Sequence, residues 1–200
     1  MSQDFERLPL SLRYKGQRDY LHGSDFYTVL TQWAHAAYGA AAFVCRLSFR
    51  QISRGACVLT TQAPAGSCVG NGQVMVSGKE VPFWLVETGE PVDERYPYDE
   101  EAVVAALKTN VQAREAVLPV VTATPIEEVI AVTKRLNNEV APLTNGKWLF
   151  GQLHLEQPLT RDGRTLRIAM RSLLANRFSV NDIYYDDELI GNIRFVVGQP

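Results

Sequence analysis

The sequence has few of the residues that metal sites and disulfide scaffolds require. Its 200 residues include three cysteines and three histidines, all dispersed along the chain. The cysteines, at positions 45, 57 and 68, are odd in number and show no Cys-x-x-Cys spacing, which favours reduced thiols over disulfides or zinc ligands. Neither residue type clusters at the spacing of a metal site. We therefore predict a protein that holds no metal and no other cofactor.

Excess charge and long apolar runs are scarce as well. The net charge is −2, so there is no basic character to indicate a nucleic-acid partner. No apolar run approaches the ~20 residues of a membrane helix, and residues 1–7 are too polar for a signal peptide. Neither a Gly-x-Ser-x-Gly nor a Walker motif occurs. These absences predict a cytoplasmic protein without a nucleic-acid or membrane partner.

Two helical patterns lie 100 residues apart. Ser24 and Thr124 are both typical N-cap residues, and each precedes an amphipathic helix. The first helix has apolar residues at the i, i+3, i+4, i+7, i+8 and i+11 positions of one buried face: Phe26, Val29, Leu30, Trp33, Ala34 and Ala37. The second helix repeats the first turns of this face with Ile126, Val129, Ile130 and Thr133. The chain is therefore predicted to contain two related halves.

The strand patterns repeat in the same order. A predicted strand opens each half, at 8–12 and 116–123, and strands follow each helix, at 47–51 and 56–61 and at 153–157 and 165–172. Each half closes on a hairpin, with its turn at 76–79 or 185–188. A helix from Asp99 to Lys108 is predicted to connect the halves, since acids begin it and a lysine ends it. We predict a first repeat at 1–91, a linker with a helix at 92–114 and a second repeat at 115–200.

This order of elements resembles the hotdog fold, an α+β fold in which a curved antiparallel sheet wraps a central helix. Two repeats in one chain resemble a double hotdog, a single integrated domain that corresponds to the usual hotdog dimer. The resemblance extends over nearly the whole chain. It implies an enzyme that acts on acyl thioesters of coenzyme A or of acyl carrier protein, and further association into a homodimer is compatible with it.

One loop distinguishes the two halves. Residues 14–23 separate the opening strand from the helix in the first half, whereas the second half passes almost directly from strand to helix. The loop holds an arginine, an aspartate, a histidine and two tyrosines, and it ends with His22-Gly23 at the start of the helix. Because functional residues concentrate on loops that a rigid scaffold positions, we predict the functional site here.

The residue types in this loop suggest carbonyl chemistry. The N–H groups at Gly23, at the positive end of the helix dipole, could polarise a carbonyl oxygen. His22 could act as general acid or base, Asp19 could fix its tautomer, and Asp25 could accept a proton or position a water. In the alternative interpretation, Ser24 is only an N-cap and Asp25 only a first-turn acid.

The motif His22-Gly23-Ser24, followed by Leu30, resembles the His-Gly-Gly loop of phenylacetyl-CoA-type thioesterases. The resemblance implies that Gly23 binds the thioester carbonyl. In that family the catalytic aspartate lies nine residues after the histidine, where this chain has Thr31. A threonine can hold a water but is a poor base. The resemblance nevertheless ranks hydrolysis first, because this loop is the closest motif match.

Two alternatives remain open. The β-hydroxyacyl thioester dehydratases pair a loop histidine with an acid from the other half, a role that Glu127 or Glu128 could take here, but their His-Phe-Pro-Gly signature is absent. A hotdog that binds an acyl group or a carrier protein without turnover would explain the missing helix aspartate. In either case, Phe26 and Leu30 are predicted to border the acyl chain.

Overall fold

The computed structural model describes residues 7–199, so the outermost positions of the two predicted repeats, 1–6 and 200, lie outside the described residues. The chain divides into two compact units, the first ending at Tyr98 and the second beginning at Asp99. No helix among residues 7–199 is long and apolar enough to span a membrane.

The first unit packs one long helix on an antiparallel sheet. Its elements are β1 (Leu8–Pro9), β2 (Tyr14–Lys15), α1 (Gly23–Tyr38), β3 (Phe43–Phe49), β4 (Gly55–Thr60), β5 (Gly70–Val76), β6 (Lys79–Pro91) and β7 (Arg95–Tyr96). The sheet has the order β1-β4-β6-β5-β3, and β2 pairs with β7 in parallel outside it. Phe26 on α1 contacts Phe49 on β3, with ring centroids 5.3 Å apart, and Trp33 contacts Phe83 on β6 at 5.9 Å. The apolar face of α1 therefore forms the core of this unit with the sheet.

The second unit has the same arrangement around α3. Its elements are α2 (Glu100–Val103), β8 (Lys108–Asn110), β9 (Glu115–Leu118), α3 (Pro125–Val140), β10 (Lys147–Leu155), β11 (Leu166–Leu174), β12 (Phe178–Tyr185) and β13 (Glu188–Gly198). The strands are antiparallel in the order β10-β13-β12-β11-β9-β8. The buried face of α3 includes Val129, Val132 and Leu136. In both units a 16-residue helix is followed by four antiparallel strands.

The local sequence signals are confirmed at several places. The predicted hairpin turns occur, with Ser77 and Gly78 between β5 and β6 and Asp186 between β12 and β13, all three at positive φ. Thr124 is the N-cap of α3 and forms a capping box with Glu127. The turns and the N-cap at Thr124 depend on residues within four positions of one another, which is why the sequence predicts them.

Other predictions are wrong where distant contacts decide. The N-cap of α1 is His22 and not Ser24, which is buried inside the first turn. Ala37, predicted on the buried face of α1, is exposed. The linking helix is only Glu100–Val103, because Lys108 pairs with Val117 as part of a strand. The opening strand of the second half ends at Leu118, since the N–H groups of residues 122 and 123 donate to a carboxylate of α3.

All three cysteines are free and buried. Burial raises the pKa of the Cys57 thiol to about 11, with Glu87 nearby adding to the shift, although a hydrogen bond from Ser53 opposes it. Burial, followed by the charge of Glu80, also raises the pKa of Cys45. Few thiolates of Cys45 and Cys57 therefore form at neutral pH, and burial hides all three thiols from reagents.

We expect the cysteines of the native protein to react with a disulfide reagent such as Ellman's reagent at least about 100-fold more slowly than those of the unfolded chain at pH 8. The reason is that all three thiols are buried and that the raised pKa of Cys45 and of Cys57 makes their reactive thiolates scarcer. The measurement compares the rate at which the coloured product forms in buffer with the rate in 6 M guanidinium, where about three equivalents of thiol should react at once. Rapid labelling of the native protein would contradict the expectation.

Candidate functional site

The N-terminus of α1 lies where three chain segments meet. The loop 14–22 leads into the helix, and the pairing of β2 with β7 places Lys15 opposite Tyr96. The hydroxyl of Tyr14 donates to the carbonyl oxygen of Arg54 at 2.5 Å, which ties the loop to the turn before β4. We call the polar residues gathered here the α1 cluster: Lys15, His22, Ser24, Asp25 and Tyr96.

Lys15 is the most deeply buried member, with a side chain that is 0% exposed. Its Nζ donates to Ser24 Oγ at 2.9 Å and lies 3.4 Å from Asp25 Oδ1. The ammonium also sits 4.0 Å from the ring centroid of Tyr98, a cation–π contact. A buried ammonium needs an opposite charge and hydrogen-bond acceptors, and this environment provides both.

Asp25 supplies the negative charge. Its Oδ1 accepts from the hydroxyl of Ser24 at 2.9 Å, and its Oδ2 accepts from the hydroxyl of Tyr96 at 2.8 Å. Asp25 also lies in the first turn of α1, where the helix dipole favours a negative charge. Both carboxylate oxygens are therefore engaged inside the cluster.

His22 connects the cluster to the helix terminus. As the N-cap it has extended backbone angles, and its Nδ1 lies 2.8 Å from Ser24 Oγ and 3.4 Å from Ser24 N. The ring is half-buried. Among residues 7–199 the Gly23 N–H has no hydrogen-bond acceptor, as is usual for the first residue of a helix. An imidazole and a backbone donor at a helix N-terminus are the groups that carbonyl chemistry uses.

The structure places Asp19 away from this arrangement. Its side chain is 74% exposed, and its Oδ2 lies 3.6 Å from Nε of Arg54. The sequence suggested that Asp19 fixes the tautomer of His22, but the side chain that contacts Nδ1 of the imidazole is that of Ser24. The reason is geometric, since Ser24 follows His22 by two residues in the first helical turn.

The predicted acyl-binding residues of α1 differ in burial. Phe26 and Leu30 are fully buried, and they hold α1 on the sheet of the first unit. Thr31 is half-buried. Gly23, the predicted carbonyl-binding residue, is half-buried at the helix terminus beside His22.

Glu128 lies in a buried ion pair of the second unit. Its Oε2 is 2.5 Å from Nη1 of Arg161, and both side chains are at most 2% exposed. Its Oε1 accepts from the backbone N–H of Thr122 at 2.6 Å and from the hydroxyl of the same residue at 3.1 Å. Arg161 also donates to the carbonyl oxygen of Leu118 at 2.5 Å. Glu128 thus anchors the segment before α3 and has no unengaged oxygen.

Two residues of the α1 cluster, Lys15 and Tyr96, are not predicted from the sequence to have a role. Lys15 belongs to the loop that was singled out, but nothing in the residues around it indicates that its side chain is buried. Tyr96 lies in a segment rich in proline and charge, typical of a connecting loop. Only the parallel pairing of β2 with β7, which joins residues far apart in the chain, brings Tyr96 to Asp25.

Comparisons with known proteins identify relatives by structure only. No protein-family model and no curated protein matches the sequence. The tesB protein of Mycobacterium avium subsp. paratuberculosis is similar in structure, with 12% identity, 96% of this chain and 93% of that chain covered and a TM-score of 0.52. The dehydratase domain of PpsC from Mycobacterium tuberculosis, solved in complex with C12:1-CoA, matches with 12% identity over 99% and 90% of the two chains and a TM-score of 0.46. A Thermobifida fusca protein provisionally named thioesterase II matches with 14% identity and a TM-score of 0.47. The match covers 96% of this chain and 92% of that chain.

Proposed function

We propose, from its hotdog fold and from the α1 cluster, that this protein is an enzyme that hydrolyses acyl thioesters of coenzyme A or of acyl carrier protein. The tesB likeness extends over nearly the whole of both chains and supports the fold. The observation that carries the function is the position of His22, the N-cap of a hydrophobic helix that begins at Gly23, whose imidazole Nδ1 contacts Ser24 in the first turn.

We further propose that the two units are the repeats of a double hotdog, with boundaries at 1–91 and 115–200 and the linker between them. Support comes from the matching element order, since α1 precedes β3–β6 as α3 precedes β10–β13. The two helices have the same length, 16 residues. A cytoplasmic location and association into a homodimer remain predictions from the sequence.

In the proposed reaction, the thioester carbonyl oxygen accepts a hydrogen bond from the Gly23 N–H, and the helix dipole stabilises the charge that develops on this oxygen. His22 removes a proton from a water as the water attacks the carbonyl carbon. The carbon–sulfur bond then breaks, and the leaving thiolate takes the proton from the His22 imidazolium. The products are a carboxylic acid and a free thiol. Neither Asp19 nor Glu128 takes part in this proposal, because their carboxylates face Arg54 and Arg161.

A panel of acyl-CoA thioesters tests the proposal. We expect release of free coenzyme A, measured as thiol with Ellman's reagent, and the buried cysteines should contribute little to this signal. Elimination of water from 3-hydroxyacyl-CoA, measured by the absorbance of the enoyl product, would instead indicate a dehydratase. Binding of a non-hydrolysable thioether analogue without any turnover would indicate a binding protein. Both outcomes would overturn hydrolysis, as would a protein that neither binds nor converts any member of the panel.

A further inference from the structure

The hydroxyl of Ser24 has three polar neighbours at hydrogen-bond distance. They are Lys15 Nζ at 2.9 Å, Asp25 Oδ1 at 2.9 Å and His22 Nδ1 at 2.8 Å. A hydroxyl has one proton to donate and two lone pairs with which to accept. An ammonium can only donate and a carboxylate can only accept, so Lys15 takes one lone pair of Oγ and the proton of Oγ points to Asp25. The remaining lone pair of Oγ faces His22, which must therefore donate from Nδ1.

The opposite arrangement fits the distances less well. If Nδ1 of His22 carried a lone pair, it could accept from the Ser24 N–H, but that contact is 3.4 Å long. The Ser24 proton would then have to point to Nδ1. The Ser24 Oγ and Asp25 Oδ1 would face each other at 2.9 Å without a proton between them. Leaving buried acceptors opposed in this way costs more than losing one long hydrogen bond.

We infer that Lys15 is a positioning residue that sets the tautomer of His22 through Ser24, so that Nδ1 carries the proton and Nε2 carries the lone pair. The catalytic meaning of this inference rests on the proposed function, because a lone pair on Nε2 is what a general base needs. Asp25 and Tyr96 complete the arrangement, since the hydroxyl of Tyr96 holds the second oxygen of the carboxylate at 2.8 Å. In this arrangement His22 is the member of the α1 cluster that touches the substrate, and the other four residues act through it.

The tautomer can be measured without any substrate. The full chain, labelled with ¹⁵N-histidine, gives a separate NMR pattern for each tautomer from the long-range couplings between ring nitrogens and ring protons. A His22→Gln variant identifies the His22 signals, and His35 and His154 serve as internal references. At a pH where His22 is neutral, we expect its proton on Nδ1 in the wild type.

The variants Lys15→Met and Ser24→Ala should move this proton to Nε2, and Lys15→Arg should retain it on Nδ1 because a guanidinium also donates to Oγ. Ser24→Ala removes a single buried oxygen, so it decides the matter even if Lys15→Met does not fold, as monitored by circular dichroism. With a thioester substrate, kcat should fall about ten- to a hundredfold in Ser24→Ala with little change in KM.

The inference is overturned if His22 of the wild type carries its proton on Nε2, or if Ser24→Ala leaves the tautomer unchanged. An Nδ1 proton that shifts in Ser24→Ala supports it, even in a protein that converts no thioester. In that case the proposed function fails and the inference about the tautomer stands. The NMR and the kinetic readouts therefore separate the two.

Discussion

Replacing Arg161 with methionine is expected to lower the free energy of unfolding by about 3–5 kcal/mol, since this is the usual cost of leaving one partner of a buried ion pair unpaired. Arg161 and Glu128 are both essentially inaccessible to solvent, with Nη1 and Oε2 2.5 Å apart. The substitution would also remove the donor to the Leu118 carbonyl oxygen at the end of β9. Urea unfolding followed by circular dichroism measures the change.

Arg171→Met is the matched control. Arg171 also lies in the second unit and its Nη1 is 3.2 Å from Asp182, but its side chain is 54% exposed. The Asp182 side chain is 14% exposed, but the guanidinium of Arg171 reaches solvent, so its loss should cost less than about 1 kcal/mol. The double variant Arg161→Met with Glu128→Leu should recover much of the lost stability, because it leaves no buried charge unpaired. If Arg161→Met and Arg171→Met lowered the free energy of unfolding equally, burial of the Arg161–Glu128 pair would not explain its contribution.

His22→Ala is expected to reduce kcat/KM for thioester hydrolysis by about 10²- to 10⁴-fold, the contribution that a positioned acid or base usually makes. Most of the loss should lie in kcat, because the Gly23 N–H that is proposed to bind the carbonyl oxygen remains in place. Initial rates of thiol release at several substrate concentrations separate kcat from KM.

His35→Ala provides the control for this experiment. His35 lies on the same helix, in its last turn, and is exposed. Its removal should leave kcat/KM within about twofold of the wild type, the range expected for a surface residue away from the chemistry. Activity of His22→Ala within threefold of the wild type would remove His22 from the proposed mechanism.

The features that the sequence predicts correctly are those determined by residues close together along the chain. The N-cap at Thr124 and the hairpin turns at 76–79 and 185–188 are each determined by a few adjacent residues. The apolar periodicity that begins at Phe26 likewise marks α1, because a helix places residues three and four apart on one face. The position of His22 at the helix start follows from the same local pattern.

The rest of the candidate site depends on contacts between distant residues. Ser24 is of a residue type that commonly serves as an N-cap. The hydrogen bond that its hydroxyl accepts from the buried Lys15 makes it part of the α1 cluster instead. Lys108 is predicted to end a helix, but in the structure it pairs with Val117 of β9 as part of a strand. Glu128 looks like a first-turn acid, and its partner Arg161 lies 33 positions further along the chain. Pairings of this kind are set by tertiary packing, which no window of local sequence contains.

The parallel pairing of β2 with β7 brings residues beyond Pro91 to the candidate site. The sheet of the first unit is complete at Pro91, which is also the predicted end of the first repeat. Yet Tyr96, beyond that point, holds one oxygen of Asp25, and the ring of Tyr98 covers the ammonium of Lys15. Insertions or deletions between 91 and 95 would thus leave every strand of the sheet intact while altering the reach of Tyr96. The length of this connection is therefore constrained by the contacts at the start of α1 and not by the sheet.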